Sequence, residues 1–266
     1  MQCKGEWQMV IHLREVSLVR EQDLILNGIN WDVEKGEHWA VYGMNGAGKT
    51  ALLNMLCAYY FPTSGEMEVC GKVFGQSVLG DELRKKVGIV SAGVQDKLHT
   101  DDNSFEIVLS GAFASIGLYE QPTDAMREKA KRILRQLGSY SYANKPYGLL
   151  SQGQKQRALL GRALMADPDV LILDEPATGF DFIAREELLE TIETIAAAEN
   201  GPTLLYVTHH VNEILPQFTN TLLLKQGEVF KAGATKQLLT SETMTEFVGL
   251  PVEITWQKGR PNMSKI

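Results

Sequence analysis

Apolar and polar residues alternate along the first part of the chain. The segments 10–19 and 24–33 are rich in apolar and β-branched residues, and Gln22 and Asp23 stand near the turn between them. Alternation with a period of two is typical of strands that bury one face. The pattern therefore predicts a pair of antiparallel strands at the beginning of the fold.

Farther along, short apolar runs alternate with segments that carry apolar residues at helical spacing. The predicted strands are 37–42, 87–91, 169–173 and 203–208, and the predicted helices are 50–59, 124–137, 152–165 and 181–198. Strands that alternate with helices in this way are typical of an α/β fold with a mostly parallel sheet. The segment 220–231 predicts a hairpin around Gln226 and Gly227, followed by short helices.

The stretch from Gln95 to Leu150 departs from this alternation. Its pattern is helical throughout, and Gly138 is placed to end its longest helix. We expect this stretch to form an α-helical subdomain that is inserted between two strands of the core.

Composition narrows the class of protein without adding a function. The chain has 266 residues, of which 44% are hydrophobic and 22% charged, as in a typical globular protein. The net charge of −7 argues against an extended nucleic-acid groove, so no nucleic-acid partner is expected. No apolar run approaches the roughly 20 residues of a membrane span, and no signal peptide is predicted. Cys3, Cys57 and Cys70 lack metal-binding spacing and are predicted to be buried, reduced thiols.

The candidate chemistry begins with a glycine-rich segment between a predicted strand and a predicted helix. Residues 43–50 fit the phosphate-loop pattern G-x-x-x-x-G-K-[ST]. Glycines let backbone N–H groups turn toward a phosphate, and the positive end of the following helix adds to the attraction. Lys49 is placed to contact the β- and γ-phosphates, and Thr50 to offer its hydroxyl to Mg²⁺. The loop therefore predicts a nucleotide site in a P-loop NTPase core.

A second candidate is the acidic pair at the end of the apolar strand 170–173. Asp174 is suited to the coordination shell of Mg²⁺, and Glu175 is suited to polarising an attacking water. Such a pair is also common at exposed strand ends. With the phosphate loop upstream, the combination predicts hydrolysis of a nucleotide that is bound with Mg²⁺.

A third segment gives the chain its family resemblance. Residues 150–157 read Leu-Ser-Gln-Gly-Gln-Lys-Gln-Arg, and a histidine pair follows the strand 203–208. With the phosphate loop and the acidic pair, these features resemble the ATP-binding cassette (ABC) ATPases, from about Val10 to about Lys231. The family signature is usually L-S-G-G-Q, so Gln152 stands where its first glycine is expected. Within the family, residues 109–119 are similar to the subgroup of uncharacterised and molybdate-associated ATP-binding proteins.

The resemblance implies roles for individual residues. The ATP-binding residues would be Gly43, Met44, Asn45, Gly46, Ala47, Gly48, Lys49, Thr50 and Ala51. The signature residues, which would face the γ-phosphate of ATP held by a second subunit, are Ser151, Gln152, Gly153 and Gln154. Lys49, Glu175 and His209 would carry catalysis, with His209 rather than His210 sensing the γ-phosphate. Asp181 would be the D-loop carboxylate against the partner subunit; as a polar residue before a helix it can also act as an N-cap, as can Ser151.

Two positions depart from the family pattern. Arg20 stands where an aromatic residue usually stacks on adenine; its guanidinium either stacks on the purine or is solvated. Ala92 stands where the family has its Q-loop glutamine, and the nearest glutamine is Gln95. Either Gln95 completes the Mg²⁺ site from a loop that Gly93 allows to shift, or Gln95 is a solvated loop residue and water takes its place.

For the whole chain, the resemblance implies one nucleotide-binding domain over residues 1–266. Residues 1–91 and 151–266 would form the ATP-binding core with its N-terminal antiparallel β subdomain, and residues 92–150 the helical subdomain. Two subunits would close over two ATP molecules, and hydrolysis would drive transport through a separately encoded membrane permease. That permease would hold the cytoplasmic protein at the inner face of the cell membrane. The alternative is a soluble ABC ATPase without a permease, for example in Fe–S assembly.

Overall fold

The computed structural model of this protein describes residues 9–118 and 120–266. The described strands are β1 (Met9–Arg20), β2 (Asp23–Glu34), β3 (Trp39–Tyr42), β4 (Ser64–Val69), β5 (Lys72–Val73), β6 (Val87–Val90), β7 (Val170–Asp174), β8 (Thr203–Thr208), β9 (Asn220–Lys225), β10 (Glu228–Ala234), β11 (Val252–Gln257) and β12 (Arg260–Lys265). The described helices are α1 (Lys49–Leu56), α2 (Gly80–Lys86), α3 (Ala92–Gln95), α4 (Ser104–Ser110), α5 (Asp124–Gln136), α6 (Gln152–Leu164), α7 (Phe182–Ala196), α8 (Thr235–Leu238) and α9 (Ser241–Val248).

The chain divides into two compact units, of which the first combines the residues up to 83 with residues 203–266. One of its sheets is antiparallel, in the order β2-β1-β4-β5. Strands β1 and β2 pair with Leu13 opposite Trp31 and Val16 opposite Ile29, and all four side chains are buried. The predicted pair of antiparallel strands is therefore confirmed.

The first unit also contains four strands in the order β10-β9-β3-β8. Strand β3 runs parallel to both of its neighbours, with Tyr42 opposite Thr208 of β8 and Leu223 of β9. Every residue of β3 and β8 is buried, as is typical of parallel strands that are covered on both faces. Because these strands point the same way, the segments that follow Tyr42 and Thr208 begin side by side at one edge of the sheet.

The second unit, residues 84–202, contains the parallel pair β6 and β7, with Val90 opposite Leu173. Its helices approach closely at two glycines. A Cβ on Gly161 would stand 2.9 Å from Cγ2 of Val108, and a Cβ on Gly111 would overlap the carbonyl oxygen of Arg162. Helix α6 therefore packs against α4 and the turn after it at a distance that leaves no room for side chains at these glycines.

The predicted fold class is confirmed, since parallel strands, an antiparallel N-terminal sheet and helices make up an α/β P-loop NTPase fold. Some predicted boundaries are wrong for local reasons. Helix α1 ends at Leu56 rather than at residue 59, because Ala58 adopts a left-handed backbone (φ 56°), and Tyr59 is left 49% exposed. The stretch 95–150 is not helical throughout, because loops and three short 3₁₀ turns, at 111–113, 140–142 and 147–149, lie beside α4 and α5 in the part that the structure describes.

Two hairpins show where sequence patterns succeed and fail. The predicted hairpin around Gln226 and Gly227 is formed by β9 and β10, and both turn residues have a left-handed backbone. The pattern does not predict the hairpin of β11 and β12. Most of its side chains are exposed or half-buried, so no alternation of apolar residues marks the strands, and its turn is Lys258 and Gly259.

Several other expectations can be placed on the fold. Cys57 and Cys70 are buried as predicted, whereas Cys3 lies outside the described residues, as does Tyr119 in the segment that resembles the subgroup. Over the described chain, no helix has both the length and the apolar character needed to cross a bilayer. The predicted division into 1–91, 92–150 and 151–266 stays a prediction.

Replacing Gly111 with Ala should destabilise the protein, because the new Cβ meets the backbone of α6. Overpacking of this kind typically costs about 1–3 kcal/mol. Gly93→Ala is the matched control: Gly93 also lies in a helical turn, but no atom stands within 4 Å of the place a Cβ would take. The urea midpoint of unfolding should fall for Gly111→Ala and stay near the wild-type value for Gly93→Ala. Equal midpoints for Gly111→Ala and the wild type would contradict the close helix packing.

Candidate functional site

The predicted ATP-binding segment, residues 43–51, connects the end of β3 to α1. Gly46 (φ 81°) and Gly48 (φ 101°) have left-handed backbones, which other residues adopt only with strain. Within the loop, the N–H of Ala47 donates to the carbonyl oxygen of Met44 at 3.1 Å. The strand, tight loop and helix therefore follow one another as a phosphate loop requires.

Lys49 lies against the inside of this loop. The residue is 7% exposed, and its Nζ donates to the carbonyl oxygen of Gly43 at 2.7 Å and approaches that of Met44 at 3.4 Å. A buried lysine carries its charge into a low-dielectric setting, where attraction to an anion is strong. The loop thus holds a cation at its own backbone, beside the positive end of α1.

Close backbone contacts hold the loop from behind. A Cβ on Gly43 would stand 2.7 Å from the carbonyl oxygen of Leu224 in β9, and a Cβ on Gly48 would stand 2.8 Å from Cδ2 of Leu26 in β2. The turn of the β9–β10 hairpin completes this contact, because the N–H of Gly227 donates to the carbonyl oxygen of Ala47 at 3.0 Å. The shape of the loop is therefore set by its neighbours as well as by its own glycines.

His209 begins at the same edge of the sheet as the loop. It directly follows Thr208, the residue opposite Tyr42 in the pairing of β3 with β8. Its ring is half-buried and lies 4.1 Å from the exposed ring of His210, measured between centroids. The structure thus brings His209 to the strand end beside Gly43, and its role toward the γ-phosphate stays a prediction.

Arg20, the last residue of β1, is exposed and lies against an aromatic ring. Its guanidinium carbon lies 4.0 Å from the centre of the Tyr60 ring, which is the geometry of a cation–π contact. One face of the guanidinium is thereby covered and its orientation fixed. Stacking of Arg20 on adenine stays a prediction, and Tyr60 is a residue that sequence reasoning missed.

The acidic pair lies at the carboxyl end of β7, in the second unit. Asp174 is the last residue of the strand, and Glu175 has a left-handed backbone with φ 46°. Such a conformation costs a residue with a side chain on the order of 1–2 kcal/mol, and strain of this kind often marks functional positions. The hydroxyl of Thr178 approaches Oε2 of Glu175 at 3.5 Å, and its N–H donates to the carbonyl oxygen of Glu175 at 3.2 Å.

The expected Q-loop segment is a regular turn of helix rather than an open loop, whereas the role of Gln95 at the Mg²⁺ site stays a prediction. Residues 92–95 form the one-turn helix α3, whose N-cap Ser91 accepts a hydrogen bond from the N–H of Val94. Gly93 lies within this turn and does not have a positive φ, so it supplies no special backbone freedom. The parallel pairing of β6 with β7 ends at Val90 and Leu173, so Ser91 and Asp174 are the next residues along the two strands.

The signature segment forms the N-terminus of α6. Ser151 is its N-cap: its Oγ accepts from the N–H of Gln154 at 3.3 Å, and the side chain of Gln154 accepts from the N–H of Ser151 at 3.1 Å. This reciprocal capping box fixes the first turn, and the spacing S-x-x-Q signals it in the sequence. Gln152 and Ser151 are exposed, and a Cβ on Gly153 would meet no other atom. The end of the helix therefore presents an open polar surface.

Asp181 is the N-cap of α7, as predicted. Its Oδ1 accepts from the N–H of Ala184 at 2.8 Å. The next two residues, Phe182 and Ile183, are 68% and 69% exposed, which is unusual for large apolar side chains. The D-loop segment thus combines a fixed carboxylate with two exposed apolar residues.

Comparison with known proteins places these features in one family. The family model described as ABC transporter matches residues 26–178. The Bacillus subtilis (strain 168) protein described as "Uncharacterized ABC transporter ATP-binding protein YlmA" is 58% identical over 257 residues, 97% of each chain. Among solved structures, cbiO1 from Clostridium perfringens, part of the ABC transporter complex cbiONQ, is 27% identical with a TM-score of 0.77 over 91% of this chain and 94% of that one. The ATP-binding cassette MJ0796, in a dimeric post-hydrolysis state bound to ADP and Pi, is 26% identical with a TM-score of 0.71 over 84% and 98%.

The left-handed backbone at residue 175 has a measurable consequence for stability. Glu175→Gly should be more stable than Glu175→Ala by about 1 kcal/mol, because glycine adopts a positive φ without a Cβ clash. At most positions of a folded chain the order is reversed, since glycine loses more conformational freedom on folding. Urea unfolding of the two variants measures the difference. A more stable alanine variant would show that the backbone at this position is not left-handed.

Proposed function

The chain belongs to the ABC transporter family, as an ATP-hydrolysing cassette that powers transport, and we propose that it binds Mg-ATP on the loop 43–50 and hydrolyses it with Glu175. The observation that carries this proposal is the placement of Lys49, whose ammonium lies against the loop backbone at the start of α1. A cation fixed at a glycine-rich helix start is suited to the β- and γ-phosphates of a nucleotide. This placement supports ATP binding through residues 43–51.

The donor chemistry of the chain fits Mg²⁺. In nucleotide sites this ion is usually held by one or two carboxylates together with phosphate oxygens and water, rather than by a protein cage. In the part of the chain that the structure describes, no cluster of three or more His, Cys, Asp or Glu residues forms such a cage. Thr50 would give a hydroxyl and Asp174 a carboxylate, with the amide oxygen of Gln95 as a further candidate. When bound, the ion would neutralise charge on the phosphates.

Glu175 is the proposed general base. Its carboxylate would accept a proton from the water that attacks the γ-phosphate, while Lys49 stabilises the negative charge that develops on the phosphate oxygens. The strained backbone at Glu175 supports this role, because residues in left-handed conformations cluster at functional sites. His209 would contact the γ-phosphate from the neighbouring strand end.

Arg20 is proposed to stack on the adenine ring. The Tyr60 ring covers one face of the guanidinium and leaves the opposite face for a purine. A planar cation held in a fixed orientation loses less conformational entropy when it binds than a solvated one.

A second copy of the chain is the proposed partner across the nucleotide. The capped N-terminus of α6, with Ser151, Gln152, Gly153 and Gln154, would face the γ-phosphate held by that copy. The dimeric state of MJ0796 and the exposed Phe182 and Ile183 after Asp181 support such an assembly. The further partner is a membrane permease, by analogy with the complex that contains cbiO1. Through it the protein would act at the inner face of the membrane; an ABC ATPase without a permease is the alternative.

Two variants separate binding from hydrolysis. Lys49→Ala should lose Mg-ATP binding in isothermal titration. Lys236 is a lysine of α8 in the same unit, and Lys236→Ala should bind as the wild type does.

Glu175→Gln should retain binding but hydrolyse ATP on the order of 10²–10⁴-fold more slowly, the range for a lost general base. In ATP, Glu175→Gln should also elute at twice the monomer mass. Unchanged affinity in Lys49→Ala would overturn the assignment of the loop, and a wild-type rate in Glu175→Gln would overturn the assignment of the base.

A further inference from the structure

The turn that follows β8 is tied down by a buried carboxylate. Glu213 is only 3% exposed, and its Oε2 accepts from the hydroxyl of Thr208 at 2.6 Å and from that of Tyr206 at 3.1 Å. Both donors lie on β8, so Glu213 folds the chain back onto the strand it has just left. A buried carboxylate needs such partners, because its desolvation is otherwise costly.

Thr208 passes this restraint on to the histidine pair. Its Oγ1 donates to Glu213 and accepts from the backbone N–H of His210 at 2.9 Å. His209 thus lies between two anchored residues: Thr208 in the strand and His210 on the hydroxyl of Thr208. Few backbone conformations of His209 are compatible with both anchors.

The same turn is held from outside by the last hairpin of the chain. Nε and Nη2 of Arg260, at the start of β12, both donate to the carbonyl oxygen of Asn212, at 3.0 and 2.6 Å. The turn of this hairpin also packs closely against Pro216, since a Cβ on Gly259 would stand 3.0 Å from Cγ of that proline. This hairpin lies beyond residues 26–178, which match the family model, so nothing in that match assigns it a role.

We infer that Thr208, Glu213 and Arg260 are positioning residues that hold His209 at the strand end beside the phosphate loop. The inference rests on the proposed contact of His209 with the γ-phosphate. Because Tyr42 and Thr208 are paired across β3 and β8, a shift of the turn moves His209 relative to the loop. A displacement of about 1 Å at a reacting group can lower a rate by on the order of 100-fold. The network therefore acts on the rate of hydrolysis more than on the affinity for ATP.

The test compares Thr208→Val with Thr208→Ser. Valine keeps the shape of the side chain but removes the hydroxyl, so His210 and Glu213 both lose a partner. The kcat for ATP hydrolysis should fall by about 10- to 100-fold with KM within about threefold of the wild-type value, because the loop with Lys49 is untouched. Serine keeps the hydroxyl and should restore kcat.

A second readout is independent of turnover. The chain has five histidines, so their ring carbon–proton signals can be resolved and assigned by NMR. The signals of His209 and His210 should move in Thr208→Val and return in Thr208→Ser. Arg260→Ala, in which the interior of the protein is intact, should move the same two signals and lower kcat, and Arg260→Lys should restore part of the loss.

His209→Ala separates this inference from the proposed function. If His209→Ala hydrolyses ATP at the wild-type rate, the proposed contact of His209 with the γ-phosphate is wrong, independently of the results for Thr208 and Arg260. If His209→Ala is slow while Thr208→Val and Arg260→Ala keep the wild-type kcat and histidine signals, the contact of His209 stands and the positioning network is overturned. A fall in melting temperature without a change in kcat or in these signals would also overturn it.

Discussion

Three backbone segments meet in this fold with no room for a side chain between them. They are the phosphate loop at Gly48, strand β2 at Ile25 and Leu26, and the turn of the β9–β10 hairpin at Gly227. Two hydrogen bonds join them, from Gly227 N to the oxygen of Ala47 and from Asn27 N to the oxygen of Gly227. The antiparallel sheet is thereby attached to the loop, and the loop is pressed into the shape that encloses Lys49. The roles proposed for the other residues of the candidate site depend on a loop that can bind the phosphates.

The second constraint is the direction of the strands. In the first unit, parallel pairing of β3 with β8 starts the phosphate loop and His209 at one edge, and in the second unit the pairing of β6 with β7 starts Ser91 and Asp174 at one edge. Candidate functional residues lie at these edges because the loops there can vary in sequence while the buried strands keep their positions. The network of Thr208, Glu213 and Arg260 follows the same principle, since it holds a loop residue in a defined place with groups that lie outside the phosphate loop.

Much of the fold and of the candidate site could be predicted from the sequence, because the patterns that indicate them lie within short segments of the chain. Apolar alternation gave the strands, helical spacing gave α5 and α6, and polar residues before apolar runs gave the caps Ser151 and Asp181. The phosphate loop was recognisable for the same reason, since its glycines and Lys49 are contiguous. The features that escaped are contacts between distant residues, such as Arg20 with Tyr60 and Arg260 with Asn212. The one-turn helix at Gln95 escaped because four residues are too few to show a period.

The central claim is that the neighbours of the phosphate loop give it the shape that binds ATP. Titration of Mg-ATP into Gly227→Ala and Gly71→Ala tests this claim most directly. Both glycines have positive φ in hairpin turns, at 80° and 75°, so both substitutions carry a similar backbone strain. At Gly71 the new Cβ meets nothing, whereas at Gly227 it runs into the backbone of Ile25 behind the loop. The affinity for Mg-ATP should fall by at least about tenfold, or about 1.4 kcal/mol, in Gly227→Ala alone. Wild-type affinity in a folded Gly227→Ala protein would contradict the account.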